Sequence, residues 1–193
     1  MGCIAGILFG LLQFAAVVLI AVGTPIGMYQ PKNENAYRLS NNYCITMWGI
    51  RNKCMQLSYS YKPEDVWSEC SGRTSRFKAA QVCAIISAIV LAVSMLASAL
   101  ETCCCCCIKY LCIALNVAAV VTLAVCWGCM LDCYLRDQGT YMRGTVNVCE
   151  KMRDFPGVDN TYTQGMRLGT GFILLIIAWA VSFVNIFIIL IPC

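Results

Sequence analysis

Cys44-Ile45-Thr46-Met47-Trp48-Gly49-Ile50-Arg51-Asn52-Lys53-Cys54 is the stretch around which this chain is organised. Two cysteines bracket a Trp-Gly pair and two basic residues inside a polar, tyrosine-rich segment. That pattern reads as a small fold closed by a Cys44 to Cys54 disulfide and held away from lipid. Tyr43 to Trp48 is β-branched and aromatic, and Cys54 to Tyr59 alternates, so two short strands are expected. A hairpin that sets the cysteines face to face turns near Gly49. A turn at Arg51-Asn52-Lys53 offsets them, and both registers fit the sequence.

Outward from this stretch the chain becomes apolar. Of 193 residues, 60% are hydrophobic and 12% are charged, too greasy a balance for an ordinary water-facing domain. No Lys, Arg, Asp or Glu occurs before Lys32, from Ala79 to Leu100, from Tyr110 to Leu131, or from Gly169 to Ile191. Each run is close to the ~20 residues that a helix needs to cross hydrocarbon, and none has the strict alternation of a barrel strand. The expectation is an all-α membrane protein in one integral domain, 1–193, with spans at about 4–22, 79–100, 110–131 and 169–191. Loops 23–78 and 132–168 then share one side, with the 101–109 connection on the other. The first run lacks a basic leader and is too long for a secretion signal, so it is read as a span.

Several functions are disfavoured at this level. The +4 formal charge is scattered among acids rather than gathered into a stripe, which argues against a nucleic-acid partner. Histidine is absent, removing the commonest general base and imidazole metal ligand. No catalytic residue, metal site or cofactor is expected. Cys126-Trp127-Gly128-Cys129 has redox spacing, but on a helix it places two small side chains on one face, so a membrane thiol oxidoreductase is only an alternative. A pore or transporter predicts ionisable groups within the runs, and they hold only amides such as Gln13, Asn116 and Asn185, expected to bond between helices. Gly2, Gly6 and Gly10, and likewise Ala80, Ala84, Ala88 and Ala92, recur at four-residue spacing that suits close helix packing.

Cysteine usage sets the remaining expectations. Cys103, Cys104, Cys105, Cys106 and Cys107 form an unbroken run at a membrane edge, a candidate for S-palmitoylation. Adjacent thiols diverge and poorly suit one tetrahedral ion. Cys44, Cys54, Cys70, Cys133 and Cys149 fall in the two large loops, an odd number that leaves one free or paired between molecules. Lys and Arg number eight in the first loop, five in the second and one at Lys109, so a literal positive-inside count turns the loops inward. The cysteines favour the opposite arrangement, with the loops in an oxidising space outside the plasma membrane and the termini in the cytoplasm.

The stretch from Cys44 to Cys54 resembles the signature of the amastins, surface proteins of kinetoplastid parasites. Cys44, Ile45, Thr46, Trp48, Gly49, Arg51 and Cys54 match it, and Met47 replaces the usual Leu or Phe at similar volume. Gly23-Thr24-Pro25, after the first span, is also similar to the family. The resemblance implies a claudin-like four-helix bundle beneath a small extracellular sheet, a cell-surface protein with no known reaction. It implies partners in the lipid bilayer, in a host or vacuole membrane, or in further copies of the chain. Arg51, Lys53 and the loop tyrosines are the expected contacts. Family members are described as glycoproteins, yet this chain has no Asn-x-Ser/Thr sequon, and Asn147-Val148-Cys149 is only a rare substitute.

Overall fold

The computed structural model describes residues 3–32, 43–54, 58–101, 107–143, 146–155 and 165–190. Among the described residues, five helices and six short strands follow in the order α1 (Cys3–Gly23), β1 (Tyr29–Pro31), β2 (Cys44–Ile45), β3 (Ile50–Arg51), α2 (Pro63–Val66), α3 (Ser71–Glu101), α4 (Cys107–Leu135), β4 (Met142–Arg143), β5 (Val146–Asn147), β6 (Met166–Leu168) and α5 (Thr170–Leu190). Helices α1, α3, α4 and α5 are each long and apolar enough to cross a membrane. The fold is a four-helix bundle with a small antiparallel sheet at one end, as expected.

The bundle closes as a ring: α3 packs on α4, α4 on α5, α5 on α1 and α1 on α3. Ala80 and Ala84 are buried on the small-residue face of α3. The glycine spacing in α1 has a different outcome, because a Cβ at Gly6 or Gly10 would meet nothing within 4 Å. Those two glycines face open space rather than a neighbouring backbone.

Polar side chains inside the bundle bond from helix to helix. Asn185 Nδ2 donates to Gln13 Oε1 at 2.6 Å, and Gln13 Nε2 donates to the Leu91 carbonyl at 3.3 Å. Asn116 Nδ2 donates to Ser94 Oγ at 3.0 Å, and the Ser87 and Thr122 hydroxyls lie 2.7 Å apart. In hydrocarbon these groups have no water to turn to, so such pairs contribute both cohesion and register.

Helices α3 and α4 outrun their uncharged segments. The 31 residues of α3 rise about 46 Å, against about 30 Å of hydrocarbon. The excess lies at Ser71–Lys78, and α4 likewise continues past Leu131 to Leu135. Hydropathy marks where lipid begins, whereas the helix persists until its backbone bonds find other partners. Cys133 is therefore a buried residue of α4 rather than a loop thiol. The second loop folds back over this helix end, and the Met152 and Arg153 amides donate to the Cys133 and Tyr134 carbonyls at 3.1 and 3.3 Å.

Above this end sits a cap. Its four-stranded sheet has the order β3-β2-β1-β6, so the strand before α5 pairs with the strand after α1. The junction is tight at Gly169, whose amide donates to the Met28 carbonyl at 2.6 Å and where a Cβ would collide with the Gly27 carbonyl oxygen. The core of the cap, including Ile45, Met47, Ile50 and Trp67, is continuous with that of the bundle through Phe77, Met130 and Phe172.

Candidate functional site

The Cys44 to Cys54 stretch builds its hairpin around one hydroxyl. Thr46 Oγ1 accepts from the amides of Trp48 and Gly49 at 3.2 and 3.1 Å and donates to the Gly49 carbonyl at 2.8 Å. The turn therefore spans Thr46 to Gly49, and β2 pairs with β3 through Cys44 with Arg51 and Ile45 with Ile50. Cys44 does not face Cys54 across the ladder. The chain bends after Arg51 and returns Cys54 to within a Cα separation of 5.4 Å, where the disulfide closes. The second strand is Ile50–Arg51; Met55, Gln56 and Leu57, within the alternating segment expected to form it, lie outside the described residues.

Gly49 is small because another segment lies against it. A Cβ there would sit 2.8 Å from the Tyr61 carbonyl oxygen and 2.9 Å from the Tyr59 ring. Ile50 completes the seam, donating to the Tyr61 carbonyl at 2.9 Å and accepting from the Ser60 amide at 2.8 Å. Arg51 is 8% exposed, with its guanidinium 4.4 Å from the centroid of the Tyr59 ring. It packs within the cap, which corrects the expectation that it is a surface contact; Lys53, Tyr59 and Tyr61 remain exposed.

Beside this seam lies a cleft of about 450 Å³. Its walls are the hairpin with Trp48, the Tyr59–Tyr61 segment, α2 with Glu64 and Asp65, and the first turns of α3 with Phe77, Lys78 and Gln81. Gln81 Nε2 donates to the Met47 carbonyl at 2.8 Å, tying hairpin to helix. Lys78 Nζ lies 3.1 Å from Glu64 Oε1, both side chains more than half exposed.

A second constellation holds the two loops together. Cys70 pairs with Cys149 across 79 residues of sequence. One turn after Cys70, Arg73 is fully buried and donates to the Val148 carbonyl at 2.8 Å and to the Glu150 carbonyl. Its guanidinium also lies over the Trp67 and Phe155 rings. Nearby, Asp132 pairs with Arg76 and with Arg136, and Arg76 also donates to Gln138. In the sequence Arg73 looks like an ordinary loop cation, and its place three residues after Cys70 is the one local signal that sets it apart. Tyr29 is equally buried and donates its hydroxyl to the Met130 carbonyl at 2.6 Å, and burial pushes its pKa well above the ordinary value.

The other expected residues lie apart from this site. Cys126 and Cys129 sit on α4 with neither in a disulfide, Cys126 buried. Cys103, Cys104, Cys105 and Cys106 lie outside the described residues, and Cys107 is the first residue of α4. In the substitute sequon, Asn147 Oδ1 accepts from the Tyr141 and Cys149 amides, and Cys149 is committed to its disulfide. Among the described residues, no group of three or more His, Cys, Asp or Glu side chains is placed to hold a metal ion.

The family model described as "Amastin surface glycoprotein" matches residues 14–189, nearly the whole chain. No curated protein and no solved structure matches.

Proposed function

The chain belongs to the amastin surface glycoprotein family, and from that premise we propose that it is a non-enzymatic recognition protein holding a cross-linked cap outside the plasma membrane. A multi-pass surface membrane protein follows directly from the family and the four apolar helices. The observation that carries the finer reading is the joining of both large loops into one body, by β1 with β6, by Cys70 with Cys149 and by Arg73. A stiff body recognises with little ordering cost, and its exposed Tyr59, Tyr61 and Lys53 are suited to contact a facing surface.

Two disulfides at one end of the bundle favour an oxidising space there, so loops 23–78 and 132–168 face outward and the 101–109 connection faces the cytoplasm. Cys103 to Cys107 then lie at the inner leaflet, where thioester acylation fastens the connection to lipid. The partner is a component of a facing host or vacuole membrane, or a neighbouring copy of the chain. Gln13, Asn116 and Asn185 bond between helices or back to backbone, which favours packing over a pore lining.

Labelling intact cells with an impermeant maleimide, before and after mild reduction, tests the reading. Cys44, Cys54, Cys70 and Cys149 are expected to react from outside, and only after reduction. Reaction only after permeabilisation would reverse the orientation. Surface proximity labelling with the Tyr59→Ser, Tyr61→Ser double variant then tests recognition: neighbours recovered unchanged would remove it.

A further inference from the structure

The cleft beside the hairpin opens at a particular depth. Lys78 is the last charged residue before the uncharged segment 79–100, so the α3 wall of the cleft, at Phe77, Lys78 and Gln81, marks the boundary between lipid and water. A ligand seated there meets aromatic rings and both signs of charge at headgroup height. We infer that this cleft, with Trp48, Tyr59, Tyr61, Lys62, Glu64 and Lys78 on its walls, binds a zwitterionic phosphocholine headgroup.

Size, chemistry and charge each favour this ligand. The volume of about 450 Å³ falls within the roughly 300–1,000 Å³ of small-molecule sites. Aromatic faces attract a quaternary ammonium through their quadrupoles, and Glu64 and Asp65 supply the counter-charge. Lys62 and Lys78 supply donors for a phosphate. Two ammonium groups and two carboxylates sum to zero, which suits a ligand carrying both charges better than an anion.

The pair already present supports an exchange. Lys78 and Glu64 lie 3.1 Å apart with side chains 56% and 57% exposed, and such exposed pairs contribute little. A zwitterion replaces both partners at once, its phosphate taking Lys78 and its ammonium taking Glu64. The backbone that carries the rings is already set. Tyr61 is fixed to Ile50 by backbone bonds, Tyr59 lies under Arg51, and Trp48 is held by the Thr46 turn. The inference needs only that the bundle spans a bilayer and is independent of which side carries the cap.

The test uses the purified full chain in phosphatidylglycerol nanodiscs. Phosphocholine, choline and inorganic phosphate are titrated by calorimetry and by tryptophan fluorescence, with Trp48 as the reporter in the cleft. Phosphocholine is expected to bind saturably and at least tenfold more tightly than either fragment. Tyr61→Ala should weaken it at least tenfold, and Lys78→Gln should weaken phosphocholine while not weakening choline, since Glu64 is then free of its partner. Lys109→Gln, at the far end of the bundle, should change nothing. Melting curves and intact disulfides identify the variants that have kept the fold. Absence of saturable binding, inorganic phosphate binding as tightly as phosphocholine, or folded Tyr61→Ala and Lys78→Gln proteins that both bind normally would overturn the inference. Phosphatidylcholine nanodiscs then separate the sources. Loss of the response to added phosphocholine assigns the site to the protein's own leaflet, whereas a retained response with capture of phosphatidylcholine vesicles assigns it to a facing membrane.

Discussion

A methyl group at position 49 has nowhere to go. In Gly49→Ala the new Cβ lies 2.8 Å from the Tyr61 carbonyl oxygen, so the hairpin and the Tyr59–Tyr61 segment must separate, an overpacking cost of about 1–3 kcal/mol. The expected outcome is a lower melting temperature in detergent and an altered Tyr59 environment, with the Cys44 to Cys54 disulfide still formed. Tyr29 carries the residue-scale dependence on pH. Burial raises its pKa well above that of an ordinary phenol, so the fold favours the neutral form. That contribution is complete below about 10, the value in the unfolded chain, and is lost as pH climbs through the interval up to the higher folded value. Tyr29→Phe should cost about 1 kcal/mol at neutral pH through the lost bond to Met130. It should also flatten the fall in melting temperature above pH 10, measured against the parent chain. The pairing of Cys44 was legible from its spacing to Cys54, whereas the place of Gly49 was left open between two registers and was decided by the Tyr59–Tyr61 segment that lies against it. Arg51 was not, because a basic residue in a polar loop looks solvent-facing until the ring that covers it is in place.

Helix α3 shows what an element adds to its residues. Its first two turns carry Arg73, Arg76 and Lys78 on a rod that has left the lipid, so one helix serves the bundle along most of its length and the cap at its start. Arg73 joins it to the second loop with two forked donations from a buried guanidinium. Lysine has the charge without the fork, so Arg73→Lys should cost about 1–3 kcal/mol. Limited proteolysis should reveal the loss as faster cleavage in the second loop while the helical circular dichroism holds. Apolar run length placed all four rods in the sequence. Where α3 begins and α4 ends was not legible, since Ser71–Lys78 and Asp132–Leu135 are polar enough to pass for loop.

The whole molecule has a main core running from Trp67 in the cap through Phe77 and Met130 into the bundle, with a smaller cluster of Phe9, Cys112 and Ile189 at the far end, but two kinds of cohesion. The bundle rests on apolar helices in lipid, and the cap on short strands and two cross-links, Cys44 to Cys54 and Cys70 to Cys149. Mild reduction should therefore act unevenly: protease trims the cap within minutes, while three membrane-embedded fragments, α1, the joined α3–α4 pair and α5, survive together with the far-ultraviolet helical signal. Equal loss of both would show that the cap holds the bundle together. By itself the sequence determined the four membrane-spanning helices, the end at which the loops gather and the hairpin disulfide, because hydropathy and short-range spacing are properties of contiguous residues. Only the tertiary structure decided that Cys70 finds Cys149 while Cys133 stays inside a helix, that the strand after α1 pairs with the strand before α5, and that Arg73 is buried. Those outcomes join segments far apart in the chain, and which of them meet depends on how the four helices pack, something no local pattern records.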